Sequence, residues 1–522
     1  MVFVEPFFLF ILLPGAVGLF YIARHLAGRT SALAVLVAAS ALFYAPYGGL
    51  AASLLATSLC INFVVGLALC SGRDGESRRR EALLFIGLAL NFAALLTFKY
   101  LDQLAALVHP DAGPLLGIAI PAGISFYTFH QAVFLLDAYR RETEVAKFLT
   151  GADHALGKLS ALVRWAAFVA FFPQLVIGPI TYMSEFAPQV LRPGFGRLRI
   201  VNIQVGLTMV VIGLAKKLLL ADNLGLVVDP IFKTADIGEA IGSSDAALAF
   251  LGYFFQLYFD FSGYSDIALG IARLFGLRLP INFDSPLRAT GIVDFYRRWH
   301  MALTRVIVLF VFTPLSLRGT RFAFERGYKG WRRRAFGGWI PLLVNFQLIA
   351  LWHSAKTTFV VFGLIHGVWY VLETEVRGAK RFKAFRSRSS DRSRAIAGMA
   401  MTFIPLVLTF GLFRSENLAA FWFLLTSLGR KASSLPEGVW ANPKPWLAMA
   451  GAAFIVYALP NLYEMLKFYR PGLATFENKS MTPPMFRVAW RPNLIWGVAI
   501  GALALWVFTD LNRPTRFLYA GF

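Results

Sequence analysis

Apolar positions in this chain run together in long blocks: 7–23, 33–69, 82–98, 115–136, 165–180, 205–220, 246–261, 339–351, 358–372, 395–412, 446–459 and 494–508. About 20 apolar residues cross a ~30 Å hydrocarbon layer as helix. The pattern therefore predicts an all-α, polytopic integral membrane bundle with about a dozen crossings, some short or re-entrant. The first block follows Glu5 and lacks both a basic leader and a small-residue cleavage site, so it is expected to be a retained anchor. No fixed-period repeat and no Pro- or Ser-rich linker divides the chain, apart from a basic Ser/Arg tract at 386–394. A single membrane domain over 1–522 is expected.

Composition agrees with that pattern. The 522 residues are 57% hydrophobic and 15% charged, with a mean hydropathy of +0.61, outside the range of soluble domains. The net charge of +22 would suggest nucleic acid in a soluble protein. Here the charge gathers in GRDGESRRR (72–80), YRRETEVAK (139–147), RGTRFAFERGYKGWRRR (318–334) and VRGAKRFKAFRSRSSDRSR (376–394). Two apolar blocks separate the first from the second, and two the third from the fourth, so each pair returns to one face. These loops are assigned to the cytoplasmic side, facing anionic membrane lipid, and no nucleic-acid partner is expected. Cys60 and Cys70 have neither metal-site nor disulfide spacing and are expected to be buried packing residues.

Polar residues concentrate in the middle of the chain. Asp260 and Asp266 flank Ser262, Gly263, Tyr264 and Ser265, a run that predicts a weakened helix and a chamber wall. The alternative is that the two aspartates cap helices or pair with Arg273 and Arg278. His353 and His366 fall in an apolar stretch, thirteen residues apart. On a continuous helix that is about 20 Å of rise, too far for one ion, and no HExxH or Cys set exists, so no metal is expected. A GxSxG elbow and a Gly-rich phosphate loop are also missing. What remains is acid–base work by histidine, with the alternative of satisfied interhelical hydrogen bonds. His300, beside Arg297 and Arg298, is equally readable as an interfacial anchor.

Six ordered stretches then carry a resemblance: PAGISFYTFH (121–130), FFPQLVIGPI (171–180), GLAKKLLLADNL (213–224), YFDFSGYSDIALGIARLFGLRLPINFDSP (258–286), DFYRRWH (294–300) and WHSAKTTFVVFGLIHG (352–367). Together they are similar to the signature of membrane-bound O-acyltransferases, in the bacterial branch that includes the membrane subunit of alginate O-acetyltransferase. The motif core covers about 121–373, and the likeness extends to the terminal FLYAGF. The resemblance implies transfer of an acyl group, with acetyl expected, from a cytoplasmic thioester (acyl-CoA or an acyl carrier protein) to a hydroxyl on an exported polysaccharide or its periplasmic partner enzyme. It implies a bacterial inner-membrane location and a tunnel across the bilayer. The histidine of Trp352-His353 is implied as the catalytic base, with His300 supporting it. Asp260, Ser262, Tyr264, Asp266, Asn282, Arg297, Arg298, Trp299, Trp352 and His366 are implied as substrate- or tunnel-lining positions, and His300 or Asn282 as oxyanion donors. Ser354 and Lys356 replace the Gly and Asn usual after Trp-His, and the segment after His300 is more apolar than in close relatives. Two other functions fit the sequence: a transporter or channel using Asp260, Asp266, Lys216 and Lys217, and a non-catalytic scaffold.

Overall fold

A computed structural model describes residues 3–71, 77–108, 113–150, 157–378, 391–430, 444–473, 483–511 and 517–518. Residues 379–390 of the fourth basic block, 72–76 of the first, and 519–522 lie outside them. Among the described residues, eight helices are long and apolar enough to cross a membrane: Phe8–Tyr47, Gly49–Ser71, Ser77–Ala105, Ile200–Asp236, Met301–Glu325, Gly330–His353, Thr357–Gly378 and Ser393–Arg414. Three shorter apolar helices, Leu418–Ser427, Lys444–Ala458 and Leu494–Thr509, complete the set. The protein is an all-α, multi-pass membrane bundle.

The blocks and the helices do not coincide everywhere. Block 33–69 is divided at residues 45–48, where Pro46 and the left-handed Gly48 (φ 94°) turn the chain. Inside the first long helix, Gly28 adopts φ 89° and ψ −167°, a break that a side chain would resist. Block 115–136 becomes the buried 16-residue helix Ile124–Tyr139. Met301–Glu325, missing from the apolar blocks, is a full-length helix. Cys60 is exposed on the Gly49–Ser71 helix and Cys70 half-buried, so neither is the buried packing residue expected.

The core is built on one helix, Ser243–Leu274, 32 residues long and buried along nearly all of its length. It is unbroken through Asp260–Asp266, against the expectation of a weakened segment. Small residues there serve packing. A Cβ on Gly263 would lie 2.8 Å from the Gly213 carbonyl oxygen, and one on Gly270 would lie 2.7 Å from that of Gly206. Two glycine pairs, each seven residues apart on its own helix, bring this helix and Ile200–Leu214 into backbone contact. Packing overrides the low helix propensity of glycine and serine.

The aspartates complete that contact. Lys217 Nζ lies 2.6 Å from Asp260 Oδ1 and 2.6 Å from Asp222 Oδ1. Lys216 Nζ lies 2.6 Å from Asp266 Oδ2, whose other oxygen accepts from the Tyr463 hydroxyl at 2.6 Å. Both lysines sit in a π-helical turn, Ala215–Ala221, where the widened turn lets two successive side chains face one neighbour. The partners are therefore these lysines, and Arg273 and Arg278 lie elsewhere. Leu518 N–H donates to Asp260 Oδ2 at 3.1 Å, and the Phe517 ring lies 4.5 Å from Lys217 Nζ. Lys217 and Asp260 are buried, and with Asp222 they place one cation between two carboxylates, an arrangement that ties the two helices together.

Candidate active site

His353 ends the Gly330–His353 helix. Ser354 leaves helical geometry (φ −161°, ψ 151°), and the chain reverses at 354–356 into Thr357–Gly378. The two apolar blocks 339–351 and 358–372 thus form a helical hairpin, with His353 and His366 on its separate arms. Its tight packing uses Gly363 and Gly367, where a Cβ would lie 2.9 Å from Ala350 Cβ and 3.1 Å from Leu343 Cδ2. The last carbonyls of a helix need partners. That of Trp352 accepts from Lys99 Nζ and, at 3.1 Å, from the Tyr100 hydroxyl. Lys99 also sits 5.0 Å from the Trp352 ring centroid. The Trp-His pair is held from behind by a third helix.

His300 arrives from a different part of the fold. The 282–300 segment folds back beside the central helix, and its turns are fixed by Asn282. The Asn282 carbonyl accepts from Met301 N–H at 3.0 Å, its Oδ1 from Ala302 N–H at 3.3 Å, and its amide donates to Ser265 Oγ at 3.3 Å. Because Ala302 N–H can only donate, Oδ1 is identified as the acceptor end of the side chain. The 3.0 Å contact of His300 Nδ1 with that oxygen therefore requires the proton on Nδ1. Neutral His300 carries its lone pair on Nε2. The backbone of His300 is left-handed (φ 46°, ψ 50°), a conformation that costs a non-glycine residue about 1–2 kcal/mol. Strain of that kind persists only where the surroundings impose it.

Both histidines line one cavity of about 30 Å³ together with Tyr296, Trp299, Thr304, Phe362, Phe410 and Phe413. His353 is 5% exposed and His300 4%. Room for a single water is about 10–15 Å³. The space beside the two histidines therefore holds only a few waters, less than an acyl chain occupies.

The remaining sequence candidates divide. Trp299 lines the cavity, and Trp352 lies 6.1 Å from His300 and 6.0 Å from Phe129 between ring centroids. His366 stands behind the wall: its Nδ1 contacts the Tyr296 hydroxyl at 2.8 Å and its Nε2 contacts Thr409 Oγ1 at 2.8 Å. Thr409 donates its proton to the Pro405 carbonyl at 2.7 Å, so Nε2–H of His366 donates to Thr409 and Tyr296 donates to Nδ1. His366 orients Tyr296. Arg298 is buried and bonds Asp294 at 2.8 Å, while Arg297 is exposed. Asp260 and Asp266 belong to the lysine pairs, and Tyr264 packs between Phe3 (4.8 Å) and Phe517 (4.7 Å). Ser262 is buried on the same helix. None of these four lines the histidine cavity, and Asn282 acts on it through His300.

Sequence reasoning missed Lys99, Tyr296 and the Phe410–Phe413 wall. A lysine closing an apolar block was a usable signal for the first, because membrane lysines need partners. Among the described residues, no three His, Cys, Asp or Glu side chains converge as a metal site.

Comparison with known proteins identifies the family. A family model described as MBOAT, membrane-bound O-acyltransferase family, matches residues 92–410. A peptidoglycan O-acetyltransferase of Helicobacter pylori is 33% identical over 433 residues, covering 80% of this chain and 78% of that protein. A probable alginate O-acetylase of Pseudomonas aeruginosa is 31% identical over 494 residues, 92% of this chain and 84% of the relative. A teichoic acid D-alanyltransferase of Bacillus subtilis is 25% identical over 282 residues, 54% of this chain and 65% of the relative. On a family match over more than half of its length and on relatives at 31–33% identity, the chain belongs to the membrane-bound O-acyltransferase family and is an O-acyltransferase.

Proposed function

We propose that this enzyme moves an acetyl group from a cytoplasmic thioester, on coenzyme A or an acyl carrier protein, to a hydroxyl of an exported polysaccharide or of a periplasmic partner enzyme that completes the transfer. Its location in this reading is the bacterial inner membrane. The names of the peptidoglycan and alginate relatives support a polysaccharide acceptor. The carrying observation is that His353 and His300, 53 positions apart in sequence, share one cavity.

In the reaction, His353 takes the proton of the acceptor hydroxyl as its oxygen attacks the thioester carbonyl carbon. The tetrahedral intermediate collapses, the C–S bond breaks, and the proton on His353 passes to the departing sulfur. Neutral His300, with its lone pair on Nε2, accepts a hydrogen bond and does not donate to an oxyanion. Its part is to orient the acceptor, for which a neighbouring sugar hydroxyl is a suitable donor. Asn282 and His366 are positioning residues that hold His300 and Tyr296.

The test is His353→Ala in native membranes supplied with labelled acetyl thioester and acceptor polymer, with products read by mass. Loss of transfer by roughly 10²–10⁴-fold at unchanged protein abundance is expected. Preserved transfer would refute the assignment of the base. Labelled polymer crossing the membrane without becoming acylated would return the protein to the transport class.

A further inference from the structure

Arg273 and Arg278, the arginines expected to meet the central aspartates, open onto a different feature. A cleft of about 350 Å³ lies where the central helix ends, between the 192–199 loop and the 469–470 turn. Six arginines line it: Arg192, Arg197, Arg199, Arg273, Arg278 and Arg470. Among the described residues, no lysine and no carboxylate joins them. Arg273 and Arg278 are half-buried at its floor, and the other four rise around the rim. Arg273 Nη2 donates to the Tyr469 carbonyl at 3.2 Å, while its buried Nε has no acceptor among the described residues. Burial and the neighbouring Arg192 and Arg470 guanidiniums lower the pKa of Arg278 below its ordinary value. Six like charges at one site repel, and a fold keeps them together when something anionic offsets the repulsion. The exclusive use of arginine points to a phosphate, whose oxygens the guanidinium fork grips two at a time.

Position narrows the source. Arg192 follows directly on the helix Met183–Leu191, whose Ser184 N–H donates at 3.2 Å to Asp137 near the end of Ile124–Tyr139, the helix that runs into the basic loop 139–147. The cleft thus opens on the face that the basic loops mark as cytoplasmic. Alternating with its arginines, Leu198 and Ile200 are 65% and 66% exposed. Apolar side chains beside guanidiniums suit the boundary between acyl chains and headgroups. It shares no lining residue with the histidine cavity.

We propose that this cleft is a binding site for a phosphate-rich anion carrying at least two phosphate groups, of the kind a diphosphate lipid headgroup presents at the membrane surface. The site does not depend on the acyl-transfer reading. A free nucleotide with two phosphates has the same chemistry, and the experiment separates the two sources.

Full-length protein is reconstituted in nanodiscs containing cardiolipin in phosphatidylcholine, and lipid carried through delipidation is measured by native mass spectrometry. In parallel, adenosine 3′,5′-bisphosphate is titrated into detergent-solubilised protein by calorimetry. Wild type is compared with Arg273→Gln/Arg278→Gln, with the rim pair Arg192→Gln/Arg470→Gln, and with Arg273→Lys/Arg278→Lys. His353→Ala serves as the control, expected to bind like wild type. Cardiolipin retention that falls roughly tenfold or more in either glutamine pair, and partly in the lysine pair, supports the site with a lipid occupant. Nucleotide binding lost in the same variants, with cardiolipin unaffected, supports it with a soluble occupant. Equal retention and equal titration by wild type and both glutamine pairs, each eluting as folded protein on gel filtration, overturns it.

Discussion

His300 donates its Nδ1–H to Asn282 Oδ1 across 3.0 Å, and the same oxygen accepts from Ala302 N–H in the first turn of the helix that follows His300. One asparagine therefore fixes both the tautomer of the ring and the direction in which the chain leaves it. Asn282→Ala is expected to lower kcat by roughly 10–100-fold, the range seen when an orienting partner is removed, with KM changed less. Asn282→Asp keeps the acceptor and recovers part of the rate. A carboxylate beside the ring favours the protonated imidazole, so the acid limb of the Asp variant's pH–rate profile moves to higher pH. A profile that does not move would contradict the coupling.

The aromatic wall limits what fits beside the histidines. Phe413 packs 5.1 Å from His353 and 4.5 Å from Phe362 between centroids. Phe413→Ala is expected to raise the ratio of butyryl to acetyl transfer, measured with matched thioesters, while lowering stability by about 3–5 kcal/mol. An unchanged ratio would place the acyl chain elsewhere.

Buried charge sets a third expectation. Replacing Lys217 alone by Met leaves Asp260 without its cation, a loss of about 3–5 kcal/mol. Lys217→Met/Asp260→Leu removes both charges and is expected to unfold at a higher temperature than the single variant in the same detergent. Activity per folded molecule should hold in the double variant, since neither residue lines the histidine cavity.

Close backbone contact gives the fourth. Gly263→Ala puts a methyl 2.8 Å from a carbonyl oxygen on the facing helix, and overpacking of this kind costs about 1–3 kcal/mol. Gly18→Ala, whose added methyl would meet nothing within 4 Å, is expected to leave the unfolding temperature nearly unchanged.

Much of this was legible beforehand, for physical reasons. Bilayer thickness makes apolar length a direct signal, so the class of fold followed from hydropathy blocks. His353 and His366 stood out because a histidine in an apolar stretch is rare, whereas His300 read equally as an interfacial anchor and was joined to His353 only by the family resemblance. The structural purpose of Gly263, Ser265, Asp260 and Asp266 was not legible, since the lysines that neutralise the aspartates are some 43 to 50 positions away. Local propensity makes such a run a weak helix, and only the facing glycines of another helix reverse that tendency. Arg273 and Arg278 likewise counted as near neighbours of the aspartates in sequence, whereas the central helix carries Arg273 to its far end and Arg278 lies just beyond it.

Asp260 takes one of its hydrogen bonds from Leu518, 258 residues further along the chain. A ribosome feeding helices into the membrane delivers the central helix long before that closing contact exists. Until residues 517–518 are made, Asp260 lacks that donor and Lys217 its covering ring, so closure over this ion pair waits on a stretch translated well after the helix it covers.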